Sequence, residues 1–301
     1  MRISDAQSRA MIHGNMNRSA EAVAKLQSQI GTGLRIQLPS DDPIASARLL
    51  RIQREQSSLE QYDKNIGKVS GNLSIQETHL KSSADAVGSI RDLLLWANTD
   101  SNSGEDRSAI ASQLSGLEQS LVSFINAKDE SGNYLFSGTR TDKPAVTFDS
   151  TSGSYAMTGN DRHRQAEVGN GVLLGANVTA KDVMGANADL LNQLHALVDG
   201  LKTAPNDPAT HQQLKDTLEQ LDATHGSILE TITDLGGRQN TLTLLANSNA
   251  DVSLANQKVE GDLSHLDMGG AMLQVDAFKL SVEASQKVYS RMSTMSLFDL
   301  M

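Results

Sequence analysis

From Leu59 to Leu94 apolar residues recur at alternating steps of three and four. The seam carries Leu59, Tyr62, Ile66, Val69, Leu73, Leu80, Val87, Ile90 and Leu94, with only Gln76 and Ser83 interrupting it. Ser, Asn, Lys, Gln, Asp and Glu dominate the positions between, so one stripe of a long helix is buried and the rest faces water. If that helix starts near Pro43 and runs to Asn98, it is about 84 Å long at the α-helical rise. A helix of that length needs partner helices along it, and the spacing predicts a rod.

The same spacing predicts the partners. Ile12, Met16, Val23, Leu26 and Ile30 mark an N-terminal helix with a narrow apolar side, too thin to be stable alone in water. Gly31-Thr32-Gly33 stops it, and Ser40-Asp41-Asp42-Pro43 starts the long helix, Ser40 or Asp42 capping free N–H groups ahead of a first-turn proline. Capping explains this carboxylate pair better than acid–base catalysis does. A further seam through Ile110, Leu114, Leu117, Leu121 and Phe124 follows a short polar turn and folds back antiparallel.

Residues 131–185 are rich in Gly, Asn, Thr and Asp, with short alternating pieces at Val146 and Phe148, Tyr155 and Met157, and Val172 and Leu174. They predict a small inserted β-domain, whose most polar point is Asp161-Arg162-His163-Arg164. Helical spacing returns at Leu190, Leu194, Leu197 and Leu201, is broken by Pro205-Asn206-Asp207-Pro208, and resumes from Leu214 to Leu235 with His225 at a seam position. Gly236-Gly237 predicts a break or kink before the seam continues through Leu242, Asn249, Asn256 and Leu266. After Gly269-Gly270 the last helix carries Val275, Phe278, Val282, Tyr289 and Met292.

The fold expected is mainly α with a small β insertion. Its terminal coiled-coil domain joins 1–35 to 271–301, its antiparallel helical-bundle rod joins 36–130 to 186–270, and 131–185 is the insertion. Composition narrows the chemistry. Of 301 residues 38% are hydrophobic but only 3% aromatic, which suits aliphatic seams more than a ligand pocket. A net charge of −10 argues against a nucleic-acid surface. There is no cysteine, hence no disulfide or thiolate metal site, and no HExxH pattern or second ligand accompanies His225. The chain carries no run of about 18 apolar residues that would span a membrane, and its N-terminus lacks the apolar core of a secretory signal. No nucleophile, base and orienting group fall at catalytic spacing, and neither a cofactor nor an enzymatic activity is expected.

Charge is also segregated. Residues 1–35 hold five Lys or Arg against two acids, and 271–301 hold three of each, so the acidity lies in the middle. Both end helices are relieved of it, as suits burial together in an assembly of many copies. The assembly seam expected from the spacing is Ile12, Met16, Val23, Leu26, Ile30, Val275, Phe278, Val282, Tyr289 and Met292.

Amphipathic helices at both termini, a helical rod between them and a central β insertion resemble the plan of the bacterial flagellin family. Gln27-Ser28-Gln29-Ile30-Gly31-Thr32-Gly33-Leu34-Arg35 and Pro39-Ser40-Asp41-Asp42-Pro43 resemble its N-terminal signature. Asn133-Tyr134-Leu135-Phe136-Ser137-Gly138-Thr139 and the ending Ser296-Leu297-Phe298-Asp299-Leu300 are similar to its hook–filament junction members, although the family usually runs a continuous helix where Gly269-Gly270 stands here. The resemblance implies a secreted structural subunit of the flagellum. It would form a ring of copies between the hook-side junction protein and flagellin, exported unfolded by the type III apparatus, with a chaperone on the C-terminal helix beforehand. The alternatives are a flagellin filament subunit and a secreted coiled-coil adhesin or translocator that binds through residues 131–185.

Overall fold

The computed structural model describes residues 2–99 and 102–298. Its elements are α1 (Arg2–Thr32), α2 (Pro43–Ala97), α3 (Gly104–Ile125), β1 (Val146–Asp149), β2 (Ser154–Met157), β3 (Gln165–Gly169), β4 (Val172–Gly175), α4 (Ala180–Met184), α5 (Asp189–Thr203), α6 (Pro208–Ser264) and α7 (Met268–Phe298). The chain is mainly α with a small β part. It divides into two compact units: one joins the chain up to Ser58 to the chain from Asp251, and the other is Leu59–Ala250. Residues 36–58 and 251–270 thus group with the ends of the chain. There Gln56 Nε2 donates to Ser253 Oγ at 2.7 Å, and few apolar side chains are buried.

The second unit holds the core. On α2 every seventh residue from Leu59 is buried, through Ile66, Leu73, Leu80, Val87 and Leu94, with Val69 and Ile90 beside them and Tyr62 half-buried. α6 keeps the same period through Leu214, Leu221, Ile228, Leu235, Leu242 and Asn249. Ion pairing and hydrogen bonding set the two helices antiparallel: Arg91 meets Asp222 at 2.7 Å, and Gln239 donates to Glu77 at 3.0 Å. α6 runs unbroken through Gly236-Gly237, contrary to the expected break. Each glycine costs about 1 kcal/mol in helix propensity, but the seam residues Leu235 and Leu242 are buried on either side, and packing outweighs that cost.

The seam interruptions on α2 are fully buried. Gln76 donates to the Leu135 carbonyl at 2.9 Å and accepts from the Val178 amide at 3.0 Å, so one side chain satisfies two loop backbones. Ser83 bonds back to the His79 carbonyl at 2.9 Å. On α3 the buried stripe also takes in Arg107 and Glu118, two charged residues that hydrophobic spacing passes over. Arg107 donates to the Ala97 and Pro205 carbonyls and, at 2.6 Å, to Asn206. Glu118 accepts from the Tyr155 hydroxyl at 2.7 Å and lies 2.9 Å from His195 Nδ1. Burial and the Glu118 carboxylate push the Tyr155 phenol well above its ordinary pKa.

These contacts dock the β part. Two separate antiparallel hairpins form, β1–β2 with Phe148 opposite Tyr155, and β3–β4 with an irregularity between Glu167 and Gly169. Val146 and Val168 enter the same core as the helices. The stretch before β1 is pinned by Ser137, whose hydroxyl donates to the Lys143 carbonyl at 2.7 Å, and by Phe136, buried to 1%. Gly138 has φ +70°, and a Cβ there would collide with Asn160.

Candidate assembly site

The N-terminal signature is a connector clamp in the first unit. Gly33, at φ +72°, ends α1 in the left-handed conformation that glycine adopts without penalty. Its carbonyl accepts from the Leu266 amide at 3.0 Å, while the Arg35 amide donates to the Ser264 carbonyl at 2.7 Å, and Leu34 bridges His265. The Arg35 guanidinium also reaches the Leu263 carbonyl and Asp42. Two loops far apart in sequence, 33–42 and 265–267, are therefore tied together, which no spacing in either one reveals.

Both acids of the signature have structural duties. Asp42 caps α2, accepting from the Ala45 amide at 3.0 Å, a bond that holds its carboxyl below the usual range. Asp41 meets Lys25 at 2.7 Å and accepts from the amides of Gln37 and Leu38. The Lys25 bond is the largest cause of its pKa falling from 3.8 to about 2, and the two amides add to it. Asp267 plays the matching part at α7, accepting from the Gly270 amide at 3.2 Å. Gly269-Gly270 thus lies in the first turn of α7, and the interruption falls just before it.

α1 packs along α7. Ile12, Met16, Val23, Leu26 and Ile30 are half-buried, as are Phe278 and Val282; Val275 is buried, and Tyr289 is exposed but meets the His13 ring edge-on at 5.1 Å. The Met292 side chain lies outside the described residues, as does Asp299-Leu300 of the C-terminal motif. The burial is thin. Among the described side chains of α1 only Gln29 is buried, and on α7 only Ala271 and Val275.

A second apolar stripe, none of whose residues belongs to the expected seam, runs along α7. Leu273, Ala277, Leu280, Ala284 and Val288 follow one another at steps of four, three, four and four, and all are exposed, Leu273 to 74% and Leu280 to 68%. At about 100° per residue this stripe lies opposite Val275, Phe278 and Val282. α7 is thus apolar on two opposite faces, one packed against α1 and one exposed. Among the described residues no group of three or more His, Asp or Glu is placed to hold a metal ion, and no helix is long and apolar enough to cross a membrane.

Comparison with known proteins agrees with this architecture. The bacterial flagellin N-terminal helical region matches residues 3–141. Flagellar hook-associated protein 3 of Escherichia coli is 24% identical over 306 residues, covering 96% of each chain. A solved flagellar hook-associated protein from Vibrio parahaemolyticus is 37% identical and superposes with a TM-score of 0.68, covering 75% of this chain and all of that one. The chain belongs to the flagellin family, in its hook-associated branch. The flagellar junction protein FlgL of Legionella pneumophila, 17% identical, shares the fold at a TM-score of 0.61 over 72% of this chain and all of its own. Within this flagellin-family chain, the connector clamp accounts for the N-terminal signature, and the buried Leu135-Phe136-Ser137 turn accounts for the motif that leads into the hairpins.

Proposed function

We propose that this chain is a structural subunit of the bacterial flagellum that forms the junction between hook and filament, exported and then assembled as a ring of copies through its terminal helices. The observation that carries this reading is the pair of opposite apolar faces on α7. One face meets α1, and the other, through Leu273, Leu280 and Val288, is exposed. Fully burying a Leu or Val is worth roughly 1.5–3 kcal/mol, so covering this stripe against neighbouring copies supplies the stability that the thin α1–α7 pair lacks. In this assignment the seam of Ile12 to Met292 orders the two helices on each other, and the opposite stripe joins copies. Its hook-side neighbour is the hook-side junction protein and its distal neighbour is flagellin. The same stripe needs cover before export, which a cytoplasmic chaperone on the C-terminal helix provides.

Deleting the gene in its host tests the role. Hooks without filaments, with unpolymerised flagellin in the medium, are expected. Normal filaments would refute it, and bare hooks with no flagellin in the medium would instead identify the filament subunit. Leu280→Asp, on the exposed stripe, is expected to block incorporation while leaving Leu59–Ala250 folded, as judged by the thermal unfolding of the purified chain. Wild-type motility in that variant would remove the stripe from the assembly.

A further inference from the structure

Two clefts of similar size flank the β3–β4 hairpin within the second unit, and their charges are opposite. The first, about 340 Å³, opens along α6 and is lined by His163, Asp182, Glu230, Asp234 and Arg238, with Ser227 and Thr231 below. It holds three carboxylates against one guanidinium, with the His163 ring nitrogen 3.7 Å from one of them, Asp182. That guanidinium is committed to Asp234 at 2.7 Å and to the Gly175 and Asn177 carbonyls, whereas Glu230 is exposed and makes no hydrogen bond or ion pair among the described residues.

The second cleft, about 350 Å³, opens along α2 between Asn65, Lys68 and Asn72 on one side and Arg164, Gln165 and Glu167 on the other. It holds two cations against one carboxylate, and Glu167 is already engaged by the Tyr62 hydroxyl at 3.4 Å. Among the described residues neither Lys68 nor Arg164 forms an ion pair, although the Asp129 carboxylate is near enough to interact with the Arg164 charge. The consecutive residues His163 and Arg164 are divided between the two clefts. The α2 cleft therefore presents surplus positive charge, and the α6 cleft presents surplus carboxylate.

We infer that these clefts are the two halves of a head-to-tail contact between copies of this chain, the Lys68 and Arg164 cleft of one copy receiving the Glu230 side of the next. Two different surfaces that complement each other generate a ring when the rotation between copies closes. A self-complementary patch would stop at a dimer. Charge pairs of this kind set register and exclude wrong neighbours more than they add affinity, which complements the apolar stripe on α7. The inference rests on the ring of copies proposed above and names its lateral contact.

The absence of native cysteine makes the test clean. Chains carrying Lys68→Cys and Glu230→Cys are expressed in the host, and isolated flagella are treated with a short bismaleimide and blotted for this chain. A ladder of dimers and higher multiples is expected, and a mixture of the two single-cysteine chains should stop at dimers. Monomer alone, with the chain present at the hook–filament boundary, overturns the lateral contact while leaving the junction role standing; a chain missing from that boundary overturns both. In a second arm, Lys68→Glu and Glu230→Lys are each expected to lower the fraction of filamented cells several-fold. Both reversals in one chain should restore it, and a double variant no better than either single would refute the pairing.

Discussion

Gln76 sets heptad logic against the tertiary structure. Seam spacing alone recommends an apolar residue there, so Gln76→Leu should stabilise the helix packing. The structure demands the opposite, because Gln76 is fully buried and bonds both the Leu135 carbonyl and the Val178 amide. A buried polar group stripped of its partner costs about 1–3 kcal/mol, so two of them cost about 2–6 kcal/mol. Burying leucine returns roughly 1.5–3 kcal/mol. The net expectation is a loss of about 2 kcal/mol, or a fall in Tm of about 4–8 °C for a unit of this size.

Thermal unfolding of the purified chain followed by circular dichroism measures the shift, and amide exchange localises it. The Val178 amide should lose protection in Gln76→Leu before the α2 amides do. Ser83→Ala is the control: the Ser83 hydroxyl bonds only its own helix, and its loss should cost about 1 kcal/mol or less. A Gln76→Leu variant that melts above the wild type, with Val178 still protected, would show that the two loop bonds contribute nothing and that the reasoning is wrong.

Gly138→Ala is expected to destabilise the 135–160 turn by about 1–3 kcal/mol, from strain at positive φ and collision with Asn160; an unchanged urea midpoint would contradict it. Tyr155→Phe removes one of the two partners of the buried Glu118 and should cost about 1–2 kcal/mol, seen as faster proteolysis within 146–157, whereas equal cleavage rates would dissociate the hydroxyl from hairpin docking. For Asp41, a folded pKa of about 2 against an ordinary 3.8 means that its stabilisation is complete above about pH 4 and is lost as pH falls through 2. An NMR titration of its carboxyl carbon should show that low midpoint, moving up in Lys25→Met; a midpoint near 4 in the wild type would remove the Lys25 bond.

What the sequence conveys and what it conceals follow from one cause. Periodicity is a property of residue type along one helix, so it reads a buried position only when that position is apolar. Ile66, Leu73, Leu80 and Leu94 were legible on that basis. Arg107, Glu118, Thr217 and Thr224 were not, although all are buried. For the two charged residues, what makes burial tolerable lies far off in the chain: Arg107 finds Asn206, ninety-nine positions away, and Glu118 finds Tyr155 and His195. The connector clamp was hidden likewise, because Arg35 meets Leu263 across 228 positions. The α7 stripe is hidden for a different reason. A search for the one best seam discards a second, and Leu273, Ala277, Leu280, Ala284 and Val288 form that second seam with two alanines in it. A helix with a single apolar face requires one partner and can be satisfied within its own chain. A helix with two opposite faces has room for two, and among the described residues α1 meets one of them, so the second face of α7 is the feature on which the proposed assembly between copies rests.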